Sequence, residues 1–167
     1  MTWRNKEKNR AGATRRKPRK TLQFYVPRYP PDVTGMWPPA HVLHFEGMQG
    51  LHLTADLYDC RCEPARFTDA PGLGAAVVQA VEASCLTPGG KLGHAFPPTP
   101  QGPGGVTATV LLAESHVCVH TWPELRSVTL DVYVCNLCAD NRPQARGLLA
   151  RLEALFQPQR ISRQELT

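Results

Sequence analysis

The chain has 167 residues, of which 42% are apolar, and a formal net charge of +5 at pH 7. This apolar share is ordinary for a globular protein, so the composition excludes a chain that is disordered throughout, and the length predicts one domain. No apolar run approaches the roughly 18 residues of a membrane helix and no secretory signal is visible, so we expect a cytoplasmic protein without membrane contact.

The first 20 residues form a basic tail. They contain nine Lys or Arg residues against one acid, Glu7, so the tail carries +8 and the remaining residues carry −3. The tail has few apolar residues, which predicts disorder. We interpret it as a solvated extension. Weak contact with nucleic acid or another anionic surface is the alternative that such a block of like charge leaves open.

Residues 21–49 are rich in proline and aromatic side chains, which excludes a helix over this segment. We expect an extended arm that packs on the domain or on a partner subunit. The folded domain is therefore predicted over residues 50–167. It begins with an alternation of apolar and polar residues over 51–58, the pattern of a half-buried strand.

A helix is predicted over residues 69–84, with Asp69 as its N-cap and Pro71 just inside its start. Residues 88–90 read as a turn, and a short strand is predicted over residues 91–96. The proline and glycine content of the next nine residues predicts a loop.

The second half of the domain is predicted to contain strands and one helix. Residues 106–113 form a buried strand that we expect to continue through residues 117–120. A second strand follows over 128–134, then an amphipathic helix over 142–156 and an edge strand over 159–165. The order β-α-β-β-β-α-β predicts an α+β fold: a two-layer sandwich of a mainly antiparallel sheet with helices on one face.

The six cysteines are expected to be thiols, because disulfides are rare in cytosolic proteins. Cys135 and Cys138 have the spacing of a redox or zinc pair, but one such pair is weak evidence. We therefore predict no metal site. The cysteines are Cys60, Cys62, Cys85, Cys118, Cys135 and Cys138.

Residues 111–136 contain the candidate chemistry. In the Glu114-Ser115-His116 step, the serine lies five residues before His120, and Cys135 follows the serine by twenty residues. A serine hydroxyl needs a base to act as a nucleophile. On a strained backbone it can attack the preceding carbonyl to form an ester. Elimination then leaves dehydroalanine, which hydrolyses to a pyruvoyl group and ammonia. This route needs a nearby base and donors to the oxyanion.

The same stretch resembles the self-cleavage site of the prokaryotic S-adenosylmethionine decarboxylases, zymogens that make a pyruvoyl group from an internal serine. The family's E-S-H-x-x-x-H-T-W-P-E motif is matched over residues 114–124, and its D-x-x-x-C pattern by Asp131 and Cys135. The resemblance covers roughly residues 50–166.

The resemblance implies roles in self-processing for four residues. Cleavage is expected between Glu114 and Ser115, and Ser115 is the expected pyruvoyl precursor that forms the Schiff base with the substrate. His120 is the expected processing base. Thr107 matches the hydroxyl that assists processing in the family.

Three further roles concern decarboxylation. The resemblance implies that Cys135 donates the proton after carbon dioxide leaves, that Glu124 binds the ribose hydroxyls and that Phe96 stacks on the adenine. A buried structural thiol at Cys135 and an ordinary core aromatic at Phe96 are the alternatives.

The resemblance therefore implies an autocatalytically cleaved, pyruvoyl-dependent decarboxylase of S-adenosylmethionine that serves polyamine synthesis, spermidine included, as a homodimer of cleaved protomers. The chain departs from the family pattern at residues 125–127 and at Asn136, where the family has glycine. An ornithine or arginine decarboxylase on the same scaffold and a non-catalytic regulatory homologue are the alternatives.

Overall fold

The computed structural model of the chain describes residues 49–136 and 139–167. The basic tail and residues 21–48 of the proline-rich arm lie outside the described residues, as does Cys138. Their boundaries and contacts therefore stay predictions. In the described part of the chain, no helix has both the length and the apolarity that crossing a membrane requires.

A six-stranded antiparallel sheet forms one layer of the domain. The strands lie in the order β2-β3-β4-β5-β1-β6, and all neighbouring pairs are antiparallel. This arrangement confirms the predicted α+β class. The strands are β1 (Gly50–Tyr58), β2 (Pro88–Ala95), β3 (Val106–Leu112), β4 (Ser115–Trp122), β5 (Ser127–Cys135) and β6 (Arg160–Leu166).

Helices α1 (Ala65–Thr68), α2 (Ala70–Ala83) and α3 (Arg142–Phe156) form the second layer. Asp69 caps α2 as predicted, because its Oδ1 accepts a hydrogen bond of 3.1 Å from the backbone N–H of Gly72. The helices bury one face of the sheet, where alternate strand residues are apolar. Full burial of each large apolar side chain stabilises the fold by roughly 1.5–3 kcal/mol.

The structure corrects the prediction for residues 106–120. A single strand continuing past the Glu-Ser-His step is wrong, because the chain reverses direction at Ala113–Glu114 and Leu112 pairs with Ser115 in the register of β3 and β4. No glycine or proline marks this turn, so the apolar pattern predicts one continuous strand. The predicted turn over residues 88–90 is also wrong: these residues belong to β2, which shifts register between Pro88 and Lys91.

The second face of the sheet carries polar and aromatic side chains that are half-exposed, and we call it the polar face. Strand alternation places its residues between the buried apolar ones. All the described helices pack on the opposite face. The members of the polar face include His52, Thr107, His116, Cys118, His120, Asp131 and Tyr133.

Candidate active site

The predicted cleavage step lies in the hairpin turn between β3 and β4. Ser115 is the first residue of β4. Glu114, immediately before it, has φ +56°, a left-handed conformation that residues with a side chain rarely adopt. Such positions cost of order 1–3 kcal/mol unless the surroundings compensate. The strained residue is therefore the one immediately before the bond that the resemblance marks for cleavage.

Cys135 lies directly beside Ser115. Its backbone N–H donates a hydrogen bond of 2.9 Å to Ser115 Oγ, and its side chain is buried at the end of β5. This bond restrains the serine oxygen close to the turn. The structure thus brings together the predicted pyruvoyl precursor and the predicted proton donor, two residues that are twenty positions apart in the sequence.

The second predicted pair, Thr107 and His120, also lies close together. The two residues are opposite each other in the register of β3 and β4, and Thr107 Oγ1 is 2.8 Å from His120 Nδ1. The other ring nitrogen of His120, Nε2, is 3.3 Å from Cys118 Sγ. Both nitrogens of this imidazole therefore have a hydrogen-bonding partner.

A cavity of about 360 Å³ opens beside His120. Its lining includes both predicted substrate-binding residues, Phe96 and Glu124, together with Trp122. Phe96 is 50% exposed, which excludes the core-aromatic alternative. The cavity has the size of a small-molecule site, with aromatic walls and one carboxylate.

The loop after β2 forms one wall of this cavity and depends on glycine. A Cβ atom added to Gly105 would lie 1.9 Å from the carbonyl oxygen of Thr121. Thr121 Oγ1 also donates a 2.7 Å hydrogen bond to the Phe67 carbonyl and accepts one of 2.8 Å from the backbone N–H of Val106. Thr121 thus ties α1, β3 and β4 together beneath the cavity, a role that the sequence did not indicate.

The structure does not bring Ser115 and His120 together within one chain. They are five residues apart on β4, a separation of about 17 Å at the rise of an extended strand. An odd spacing also places their side chains on opposite sides of the strand. The predicted residues therefore form two clusters at opposite ends of the sheet, one with Ser115 and Cys135 and one around His120.

A histidine and carboxylate network that sequence analysis missed lies on the polar face. Asp131 Oδ2 is 2.8 Å from His52 Nε2, and Asp131 Oδ1 is 3.2 Å from His116 Nε2. Tyr133 stacks on His116 with ring centroids 5.8 Å apart. The alternation of apolar and polar residues in β1, β4 and β5 could have indicated that these residues share a face, but only the register shows that they meet.

Among residues 49–136 and 139–167, no three His, Cys, Asp or Glu side chains are arranged to hold a metal ion.

Arg126, at one of the departures from the family pattern, is bound outside the cavity. Arg126 has φ +46°, where glycine is favoured, and its Nε donates a 2.7 Å hydrogen bond to the Cys60 carbonyl. The guanidinium is thus directed to the end of β1, and Arg126 is absent from the lining of the cavity. Burial raises the pKa of the neighbouring Cys60 thiol to about 11, so that thiol is unreactive at neutral pH.

Asn136, the other departure, organises the loop after Cys135. Its Oδ1 accepts a 2.8 Å hydrogen bond from the backbone N–H of Asn141, whose Nδ2 donates to the Cys135 carbonyl over 2.9 Å. The two asparagines therefore restrain the backbone of the predicted proton donor.

Similarity to known proteins covers the domain that contains these residues. Residues 51–167 match the family described as S-adenosylmethionine decarboxylase. The chain is 39% identical over 88 residues to the S-adenosylmethionine decarboxylase proenzyme of Parasynechococcus marenigrum (strain WH8102), a match that covers 53% of this chain and 63% of that protein. It is 36% identical over 103 residues to the corresponding proenzyme of Methanococcus vannielii, covering 60% of this chain and 79% of that one.

The structure is also similar to the crystal structure of the adenosylmethionine decarboxylase from Aquifex aeolicus VF5. The TM-score is 0.59 at 29% sequence identity, and the match covers 71% of this chain and 89% of that one. The matched part of the chain spans just under two thirds of the Parasynechococcus protein. Because the family match extends over more than half of its residues, the chain belongs to the S-adenosylmethionine decarboxylase family.

Proposed function

We propose that the chain is a self-cleaving, pyruvoyl-dependent decarboxylase that acts on S-adenosylmethionine and supplies the aminopropyl donor for polyamine synthesis. The observation that carries the proposal is the Ser115 hydroxyl beside the left-handed Glu114 residue, in the turn where the family's cleavage motif lies. A strained residue before the scissile bond and a restrained hydroxyl after it favour an acyl shift from nitrogen to oxygen.

In the proposed self-cleavage, Ser115 Oγ attacks the carbonyl carbon of Glu114. The C–N bond breaks and an ester replaces the amide. Removal of the proton from Ser115 Cα then expels the Glu114 carboxylate and leaves dehydroalanine. Addition of water and loss of ammonia give the pyruvoyl group at the new N-terminus. Opening the turn also relieves the left-handed strain at Glu114.

The base for self-cleavage comes, in our proposal, from a second protomer. His120 lies about 17 Å along the strand from Ser115 in its own chain, well beyond the reach of proton transfer. A symmetric dimer that places His120 of the partner subunit beside Ser115 would complete two identical sites. Because Thr107 is bound to His120, the assisting hydroxyl would arrive with it.

For decarboxylation, the pyruvoyl carbonyl supplies the electron-accepting group as carbon dioxide leaves. We assign Cys135 as the proton donor, because its backbone already contacts Ser115. Phe96 and Trp122 offer flat apolar surfaces to an adenine. The Glu124 carboxylate can accept charge-assisted hydrogen bonds from two ribose hydroxyls. With the cavity brought to the serine by the partner, substrate and reacting group would meet at the interface.

An ornithine or arginine decarboxylase is the second candidate, since Glu124 could also face a cationic side chain. Two aromatic walls favour the nucleoside substrate, because a short aliphatic amino acid has no ring to stack on them. Arg126 does not alter this choice, because it binds the Cys60 carbonyl and does not line the cavity.

Intact mass measurement of the purified protein, followed by carbon dioxide release assays, tests the proposal. We expect two fragments, one ending at Glu114 and one starting with a pyruvoyl group, whereas Ser115→Ala stays full length. Ser162→Ala, on the exposed edge strand β6, is the matched serine control and should cleave normally. An uncut wild-type chain that still decarboxylates would contradict the mechanism, and a preference for ornithine or arginine would contradict the substrate.

A further inference from the structure

Cys118 makes a contact that the cleavage motif does not explain. The motif leaves the three residues between His116 and His120 unspecified, and Cys118 lies among them. On the polar face its Sγ is 3.3 Å from His120 Nε2 and 3.3 Å from Thr109 Oγ1. The thiol is half-buried between these two groups.

The position of the ring proton decides what His120 can do. A neutral imidazole has one N–H donor and one acceptor nitrogen, and the partner of one nitrogen determines the state of the other. To accept a proton from the Thr107 hydroxyl, Nδ1 must be unprotonated, so Nε2 must carry the hydrogen. That hydrogen needs an acceptor, and Cys118 Sγ is the atom within reach.

We propose that Cys118 is a positioning residue that fixes His120 as the Nε2–H tautomer. The proposal rests on the proposed function, because His120 is the base of self-cleavage. Hydrogen bonds then run in one direction: Thr107 donates to His120 Nδ1, His120 Nε2 donates to Cys118 Sγ, and the Cys118 thiol donates to Thr109 Oγ1. Nδ1 stays unprotonated, so it can accept the Thr107 hydroxyl proton while that hydroxyl takes the proton of Ser115 of the partner subunit.

Ring-nitrogen NMR of His120 tests this assignment without any self-cleavage. The probe is the full-length Ser115→Ala chain labelled with ¹⁵N-histidine, with the signals of His120 assigned by their loss in His120→Gln. We expect Nε2–H with Cys118 present and with Cys118→Ser, which keeps an acceptor. With Cys118→Val, which removes it, the preference should be lost.

Cleavage kinetics of chains that retain Ser115 provide the second measurement. Loss of one hydrogen bond predicts that Cys118→Val cleaves roughly 3- to 10-fold more slowly than wild type. Cys118→Ser should stay within about twofold of wild type, because serine keeps an acceptor for the Nε2 hydrogen. Cys85→Ser, an exposed cysteine outside both clusters, is the matched control and should match wild type. Thermal melting checks that Val, a good strand former, leaves the fold intact. If it does not, Cys118→Ala takes its place in both experiments.

An unchanged tautomer in the Cys118→Val chain, or cleavage at the wild-type rate, would overturn the proposal. Equal slowing in the Val and Ser variants would also overturn it, because the acceptor that serine keeps would then make no difference to cleavage. A wild-type chain that never cleaves would contradict the proposed function instead, and the NMR comparison would still decide the role of Cys118.

Discussion

A mixture of Ser115→Ala and His120→Ala chains is expected to recover a cleavage that neither variant performs alone. The reason is the separation of about 17 Å between Ser115 and His120 along β4. In a mixed dimer, Ser115 of the His120→Ala chain would meet an intact His120 of the partner subunit. Random pairing of equal amounts places about half of the His120→Ala chains in such dimers, so about half is the upper limit of their cleavage.

The assay is denaturation of each variant separately, refolding of the mixture and intact mass measurement over time, since the two chains differ in mass. Only the His120→Ala chain should be cut, and Ser115→Ala should remain full length. Mixing His120→Ala with the Ser115→Ala/His120→Ala double variant is the control, because those dimers contain no His120. If mixed dimers form but the His120→Ala chain stays uncut, the shared site is wrong and another base must serve Ser115.

Three further predictions concern decarboxylation and stability. Cys135→Ala should still cleave but lose about 10²- to 10⁴-fold in kcat, as expected for loss of a general acid; near-normal turnover would make the thiol structural. Glu124→Gln should raise the KM for S-adenosylmethionine and leave cleavage intact, and the ratio of wild-type kcat/KM values for S-adenosylmethionine, ornithine and arginine decides the substrate. Arg163→Met should lower the free energy of unfolding in urea by about 1–3 kcal/mol, because it leaves the buried Glu153 carboxylate without its two bonds from Arg163, of 2.6 and 2.7 Å. Adding Glu153→Met should recover most of that loss, and failure to recover it would show that the pair matters through packing.

Elements with strong local signals could be predicted from the sequence. The helix over residues 142–156 has the predicted bounds because its apolar side chains recur at helical spacing. The N-cap of α2 could be predicted because Asp69 and Pro71 are typical of a helix start. The turn at Ala113–Glu114 could not be predicted, because its left-handed residue is a glutamate where glycine is usual. The short helix α1 has too few residues to produce a periodic pattern.

The residues of the candidate site could be named from the sequence, but their grouping could not. Motif resemblance marks Ser115 and His120 as partners, whereas the distance between them depends on which residues are extended and on the hairpin reversal. The shared cavity of Phe96 and Glu124 depends on the fold of the glycine-rich loop between β2 and β3. Such contacts between distant segments are set by register and packing, and one sequence carries little direct information on either.

The position of the proposed cut explains why the fold can survive it. The Glu114–Ser115 bond lies in a two-residue turn at the end of the sheet, so cleavage removes one connection and no strand. On the N-terminal fragment, β3 remains paired with β2; on the C-terminal fragment, β4 remains paired with β5, and β5 pairs with β1 of the first fragment. Each fragment contributes one long helix to the same core. A cut inside a strand would break the hydrogen-bonded ladder, whereas a cut here frees two chain ends at the place where the new N-terminus is to react.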